Sequence, residues 1–217
     1  MKKNLTLTPY LGESGRNKGM KILNLYAGIG GNRKEWKDAE VTAIEYNQDI
    51  ADVYKQLHPK DTVIVADAHE YLVKHWREFD FIWSSPPCQS HSKVRMMASK
   101  GCSYDAVMPD MKLWAEIIFL QNFTKNTHIK FAIENVKPYY KPLVKPTCKI
   151  GRHLFWANFD IPEIKIKDGL THNERGSSVK GYFDLRPYKM KHRKDQIIRN
   201  CVDPNVGKYV FECVVGN

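Results

Sequence analysis

No stretch of the sequence approaches the roughly 20 consecutive apolar residues that a bilayer span needs, so a membrane protein is not expected. None of the five cysteines (Cys88, Cys102, Cys148, Cys201, Cys213) belongs to a CxxC pair, and five leaves one without a mate. A disulfide scaffold is therefore not expected, and neither is a metal site. No secretory leader is recognisable, so the thiols read as free in a reducing compartment and the protein as cytoplasmic. Internal repeats and low-complexity tracts are missing too. Acids are the scarcer charge: 24 Asp and Glu against 34 Lys and Arg give a formal net charge of +10. A polyanion is a natural partner for such a chain, although charge alone does not say which one. What remains, 42% hydrophobic and 12% aromatic, excludes a disordered chain and suits one well-buried domain.

Residues 1–19 are polar, broken by Pro9, Gly12, Gly15 and Gly19, and read as a flexible arm. From Lys21 onward, apolar runs of strand length recur: KILNLY (21–26), VTAIEY (41–46), TVIVAD (62–67), FDFIW (79–83), KFAIENV (130–136) and HLFWANF (153–159). Helix-like stretches separate them: NRKEWKDA, QDIADVYKQL, AHEYLVKHW and PDMKLWAEIIFLQNFTKN. In the last, Met111, Trp114, Ala115, Ile118 and Phe119 recur with helical spacing and suggest one apolar face. Alternation of strands and helices implies an α/β fold with a parallel sheet covered on both faces. After Pro162 the chain becomes polar and basic, with a small β-like insert expected. The closing VGKYVFECVV is apolar and expected to dock on the sheet.

Ligands of such sheets bind beyond the carboxyl ends of the strands. Tyr26-Ala27-Gly28-Ile29-Gly30-Gly31 follows the first strand and precedes a helix-like stretch, a setting where glycines let backbone N–H groups approach a ligand. A tight connection reads the same way. The spacing is G-x-G-G, not the G-x-G-x-x-G of dinucleotide folds. Glu45 ends the second strand, where a carboxylate can accept both hydroxyls of a ribose. Asp67 ends the third, where it can meet an adenine amino group. Together the three point to an adenosine-bearing cofactor, with S-adenosylmethionine favoured over NAD. Ser85-Pro86-Pro87-Cys88-Gln89 occupies the fourth strand end. Its prolines limit backbone freedom, which suits the aiming of a thiolate. A thiolate needs an electropositive setting, and His91, Lys93 and Arg95 are close in sequence. In isolation, Cys88 reads first as a small buried hydrophobe and only second as a nucleophile. Glu134-Asn135-Val136 ends the fifth strand. An unpaired carboxylate is costly to bury there, and a carboxyl kept protonated would be a proton donor. A solvent-facing acid is the alternative.

In order and spacing, Tyr26–Gly31, Pro86-Pro87-Cys88-Gln89 and Glu134-Asn135-Val136 resemble the motifs of DNA (cytosine-5) methyltransferases. The resemblance runs from about Lys21 to Asn158. It resumes at Asn200-Cys201-Val202-Asp203-Pro204-Asn205-Val206, which is similar to the family's Asn-(small)-Val-Pro-Pro segment. IENVKPYY and GRHLFWANF look most like the compact members carried by phages. The resemblance implies a Rossmann-like methyltransferase fold, mostly parallel, with a small basic target-recognition insert. It divides the chain into an arm (1–19), a catalytic domain (20–162), a reduced recognition region (163–196) and a closing segment (197–217). It also implies a chemistry. Cys88 is the nucleophile towards C6 of cytosine, Glu134 the partner of N3, Asn135 the support of the Pro86–Cys88 loop or the base, and Arg152 the arginine reaching cytosine. S-adenosylmethionine contacts fall to Tyr26, Ala27, Gly28, Gly30, Gly31, Glu45, Tyr46, Asp67, Ala68, Pro86, Asn200 and Val202. Double-stranded DNA contacts fall to Gln89, Ser90, Ser92, Lys93 and Arg95 in the long loop 89–112, and to Arg186, Lys191 and Arg193 in the insert.

Two departures qualify the match. The family usually carries Arg-x-Arg ahead of its sixth strand, whereas this chain has Gly151-Arg152-His153. His153 stands where the second arginine belongs, and Arg152 fills the role only with a local shift. The recognition region is also short, so a short or relaxed sequence preference is expected, or dependence on a partner such as a restriction endonuclease. Lys137, Lys141, Lys145, Lys149 and Arg152, with Tyr139 and Tyr140 interleaved, form an acid-free run that suits a phosphate backbone. A monomer in a bacterial or phage-infected cell is expected. RNA cytosine-5 methylation, or a catalytically weak nucleic-acid binder on the same fold, are the alternative readings.

Overall fold

Strands buried on both faces read as unbroken apolar runs, because successive side chains point to opposite sides of the sheet. The computed structural model describes residues 19–93, 105–164, 178–179 and 183–216. Its main sheet has seven strands: β1 (Met20–Leu25), β2 (Ala39–Glu45), β3 (Thr62–Val65), β4 (Phe81–Ser84), β5 (Lys130–Val136), β6 (Cys148–Ile150) and β7 (His153–Ala157). They lie in the order β3-β2-β1-β4-β5-β7-β6. The first five are parallel, and β7 runs antiparallel to both β5 and β6. This is a Rossmann-like α/β sheet. The order reverses between β1 and β4, which opens a crevice at their carboxyl ends.

Ile22, Phe81, Trp83, Ala132 and Phe155 point to one face, and Leu23, Ile82, Phe131, Ile133, Leu154 and Trp156 to the other. Helix α1 (Gln48–Leu57) and helix α5 (Pro204–Val215) cover the first face; α5 lays down Val206, Val210, Phe211 and Val214. Helix α2 (Ala68–His75) and helix α3 (Lys112–Phe123) cover the second, through Leu72, Leu113, Trp114, Ile117 and Leu120. The expected docking of the C-terminal run is thus made by a helix. The short helix α4 (Lys194–Asn200) and a two-stranded ribbon of β8 (Ser178–Val179) and β9 (Phe183–Asp184) complete the described chain. The boundary expected at 196/197 falls inside α4. The expected arm lies outside the described residues except for its last, Gly19, as do 165–177 and 180–182 of the insert. Among the described residues no helix is long and apolar enough to cross a membrane.

The structure departs from the sequence expectations at three places. NRKEWKDA forms turns, not a helix. Eight residues are marginal for a helix on their own, and tertiary bonds claim this run instead. Arg33 forks onto Asp61 and donates to the Trp36 carbonyl, while the Trp36 indole donates to the Gly207 carbonyl and stacks on Phe211. The glycine-rich turn therefore leads into this folded-back segment. Second, the buried face of α3 is Leu113, Trp114, Ile117 and Leu120, whereas Met111 and Ile118 are more than half exposed. A helix apolar on nearly every side gives two equally good stripes, and packing selects one. Third, the three-residue strand β6 was not expected. It is too short to show a period, yet it forms a hairpin with β7 around Gly151-Arg152. Gly151 has φ +56°, as the first position of a type II′ turn requires.

Candidate active site

One cavity of about 810 Å³ opens along the strand ends and collects most of the sequence-expected residues. At its β1–β3 side, Gly28 N–H donates to Glu45 Oε2 at 3.0 Å, and Asn47 N–H donates to Oε1 at 2.9 Å. Each oxygen keeps a lone pair for a hydroxyl. Asp67 caps α2 by accepting from Glu70 N–H at 3.0 Å and also receives Lys112 Nζ at 3.1 Å. The helix-end N–H, then Lys112, hold its carboxyl below the usual carboxylate range. Tyr46 lies at the rim, 78% exposed. Gly28 has φ +56°, and a Cβ there would meet no atom within 4 Å, so its backbone faces open space. Ala27, Ala68, Pro86, Asn200 and Val202 complete this wall. Two neighbouring carboxylates, a bare backbone turn and an aromatic rim fit an adenosine-bearing group. Gly30 does not belong with them. Its φ of +77° shapes the turn, and it packs on Tyr54 and His58, away from the cavity.

The β4–β7 side carries the groups suited to covalent chemistry. Trp83 Nε1 donates to Ser85 Oγ at 2.8 Å, and Asn135 Nδ2 donates to the Pro86 carbonyl at 2.8 Å. Both fix the loop from which half-buried Cys88 projects. Burial pushes the Cys88 thiol up, the Glu134 charge adds to this, and Arg152 opposes it. Glu134 is 7% exposed on β5, with Oε1 3.5 Å from His153 Nε2. The tight β6–β7 turn projects Arg152 into the same cavity, where its Nη2 also donates to the Arg199 carbonyl at 3.3 Å. Arg152 and His153 both line the cavity, so the departure at 151–153 leaves one cation and one imidazole there.

The expected source of positive charge near Cys88 needs correcting. His91 is buried, lies 2.6 Å from the Tyr140 hydroxyl, and is held below its ordinary value by burial. Lys93 is exposed and off the cavity, and Arg95 lies outside the described residues. Among the described residues, Arg152, from the β6–β7 turn, takes that place. Among the expected nucleic-acid contacts, Gln89 and Ser92 line the cavity, while Ser90 Oγ accepts from Asp110 N–H at 3.0 Å. Arg186 and Arg193 are exposed and paired with Asp184 and Asp195, and Lys191 N–H donates to Asp49. Lys137, Lys141, Lys145 and Lys149 are exposed and make no ion pair among the described residues. Lys112, Gln196 and Arg199 also line the site and were not singled out from the sequence. Neither was Glu116, buried beneath it, although one acid within the apolar LWAEIIFL was a readable signal.

Residues 20–149 match the model of the C-5 cytosine-specific DNA methylase family, more than half of the chain. The chain belongs to that family. Among curated relatives, the tRNA (cytosine(38)-C(5))-methyltransferase of Spodoptera frugiperda is 33% identical over 81 residues, 34% of this chain and 24% of the relative. A bifunctional methyltransferase of Rickettsia conorii is 26% identical over 223 aligned residues, 93% of this chain and 40% of the relative. The chain thus spans less than half the length of these relatives. Among solved structures, Spodoptera frugiperda DNMT2 is 27% identical, with a TM-score of 0.38 over 55% of this chain and 36% of that one. S-adenosylmethionine is the methyl donor of that family, and the cavity has groups that fit it.

Proposed function

We propose that this methylase transfers a methyl group to C5 of cytosine in DNA through a covalent bond between Cys88 and C6. The observation that carries this reading is the meeting of Cys88, Glu134 and Arg152, from three different strand ends, in the cavity that also holds the Glu45 and Asp67 carboxylates. S-adenosylmethionine supplies an electrophilic methyl on a sulfonium. Cytosine C5 is a poor nucleophile until a thiolate adds at C6, which breaks the aromatic ring and places electron density on C5. Arg152 favours the thiolate of Cys88. The Glu134 carboxyl hydrogen-bonds N3 and stabilises the charge that addition develops. Asn135 keeps the Pro86–Cys88 loop at a fixed distance from the base. C5 takes the methyl and leaves S-adenosylhomocysteine; water in the cavity then accepts the C5 proton as the C6–S bond breaks, which returns the Cys88 thiolate and restores the ring. The base leaves the duplex to reach Cys88, at a cost of a few kcal/mol that pocket contacts offset. Gln89 and Ser92 at the cavity, with the exposed Lys137–Lys149 strip, provide that contact surface.

Incubation with methyl-tritiated S-adenosylmethionine and cytosine-rich duplex DNA tests the proposal. Label at C5, lost in Cys88→Ser with cofactor binding retained, is the expected result. Label only at N4 of cytosine or N6 of adenine would refute it. The curated tRNA relative favours one second reading, RNA as substrate, and competition between tRNA and duplex DNA in that assay separates the two.

A further inference from the structure

A buried carboxylate that takes no part in this chemistry lies beneath the cavity. Glu116 on α3 is 0% exposed, yet its oxygens are well supplied. Oε1 accepts from the Tyr26 hydroxyl at 2.6 Å and lies 3.1 Å from His69 Nδ1, while Oε2 accepts from Ser84 Oγ at 2.8 Å. These partners stand at three different strand ends. Tyr26 opens the glycine-rich turn, Ser84 closes β4 directly ahead of Ser85–Cys88, and His69 follows Asp67 and Ala68 in the first turn of α2. Tyr26 also holds φ +55°, a left-handed conformation that a side-chain-bearing residue keeps only when its surroundings enforce it. Its hydroxyl bond to Glu116 is one such restraint.

We infer that Glu116 is a positioning residue for the cofactor: its buried carboxylate ties the Tyr26 turn, the end of β4 and the start of α2 into one frame. This rests on the S-adenosylmethionine reading of the cavity. A buried carboxylate needs a compensating charge, and His69 is the nearest base. The charged groups facing His69 are Glu116 and Lys112 from α3 and Asp67 from the cap of its own helix, with Tyr26 joined through the shared carboxylate. The hydrogen bond to Glu116 raises His69 above its ordinary value. The frame is therefore complete at acid to neutral pH and loosens as pH rises through that elevated value.

Calorimetric titration with S-adenosylhomocysteine from about pH 6 to about pH 9 tests the inference, alongside thermal melts of the unliganded proteins. Wild-type affinity should fall as pH rises. Glu116→Gln should bind about tenfold more weakly at neutral pH while still folded, the loss of roughly one charge-assisted hydrogen bond. His69→Gln, at a part-exposed site, should fold and lose most of the wild-type pH slope. A merely structural role would lower the melting temperature and leave affinity unchanged. Folded Glu116→Gln with wild-type affinity overturns the inference. If Glu116→Gln does not fold, His69→Gln decides, and an unchanged pH slope overturns it. Failure of the wild-type protein to bind at any pH would remove the cofactor reading and this inference together.

Discussion

The two halves of the cavity are built to different standards of completeness. On the β1–β3 side Glu45 and Asp67 are each held at two points: Glu45 by two backbone N–H groups, Asp67 by one N–H and Lys112. On the β4–β7 side, Glu134 has His153 at 3.5 Å, and Arg152 donates to one carbonyl at 3.3 Å. The first half is preorganised, as suits a group that binds in every cycle. The second keeps hydrogen-bonding capacity, which the proposed mechanism would use on an incoming base. Unspent capacity of this kind separates a site that binds from a site that reacts, because donors and acceptors satisfied beforehand give little extra to a transition state.

Substitutions that act on one half and spare the other test that division. The largest effect should come from Cys88→Ser, which removes the thiolate. Methyl transfer and gel-stable adducts on 5-fluorocytosine DNA should both disappear, with S-adenosylhomocysteine affinity within about twofold of wild type. A persisting adduct would assign the nucleophile elsewhere. Glu134→Gln should follow, lowering kcat about 10²–10³-fold with little change in KM for the cofactor. An equal loss in cofactor affinity would show that the halves are not separate.

The strand ends were legible because continuous apolar runs stop at polar, glycine or proline residues, and a sheet then brings those stops to one rim. Five parallel strands and the place of Cys88, Glu134, Glu45 and Asp67 follow from that pattern. The parts that could not be read depend on contacts distant in sequence. Trp36 is drawn in by Gly207, 171 residues away, and this dissolves the helix that its own neighbourhood suggests. Arg152 becomes the cation near Cys88 because a two-residue turn aims it across the sheet, so sequence proximity favoured His91 wrongly. Glu116 is intermediate: an acid inside an apolar helix announces a partner, but Tyr26, His69 and Ser84 could be found only in three dimensions.

Gly31→Ala sharpens the comparison from the cofactor side. A Cβ at Gly31 would stand 2.0 Å from Cys201 Sγ and 2.4 Å from the Val202 carbonyl oxygen. The resulting overpacking should cost about 1–3 kcal/mol in stability and weaken cofactor binding, read by thermal melts and calorimetry. Adding Cys201→Ala should restore only part of the loss, because the Val202 oxygen belongs to the backbone and cannot rotate away. Full restoration would show that the chain from Cys201 to Val202 is softer than the preorganised half requires.

Arg152→Gln should give the smallest effect. Burial and then Glu134 raise the Cys88 thiol, and Arg152 lowers it, so each neighbour's removal has a defined sign. Without the guanidinium, the thiolate loses its favourable charge and half-ionisation moves to higher pH. Alkylation of the Cys88 peptide by iodoacetamide at a fixed, mildly alkaline pH should then slow by about threefold, a modest change because solvent screens a cavity open to water. Glu134→Gln should move the same profile the other way and speed alkylation. Cys201, pushed up to about 12 by burial, provides an unreactive internal reference in the same digest. Shifts of opposite sign in the two variants would mean that Cys88 is poised between an anion and a cation whose charges both reach its sulfur. Shifts of the same sign would mean that one of these two charges does not act on the sulfur, and the charge balance of the β4–β7 half would have to be assigned to other groups.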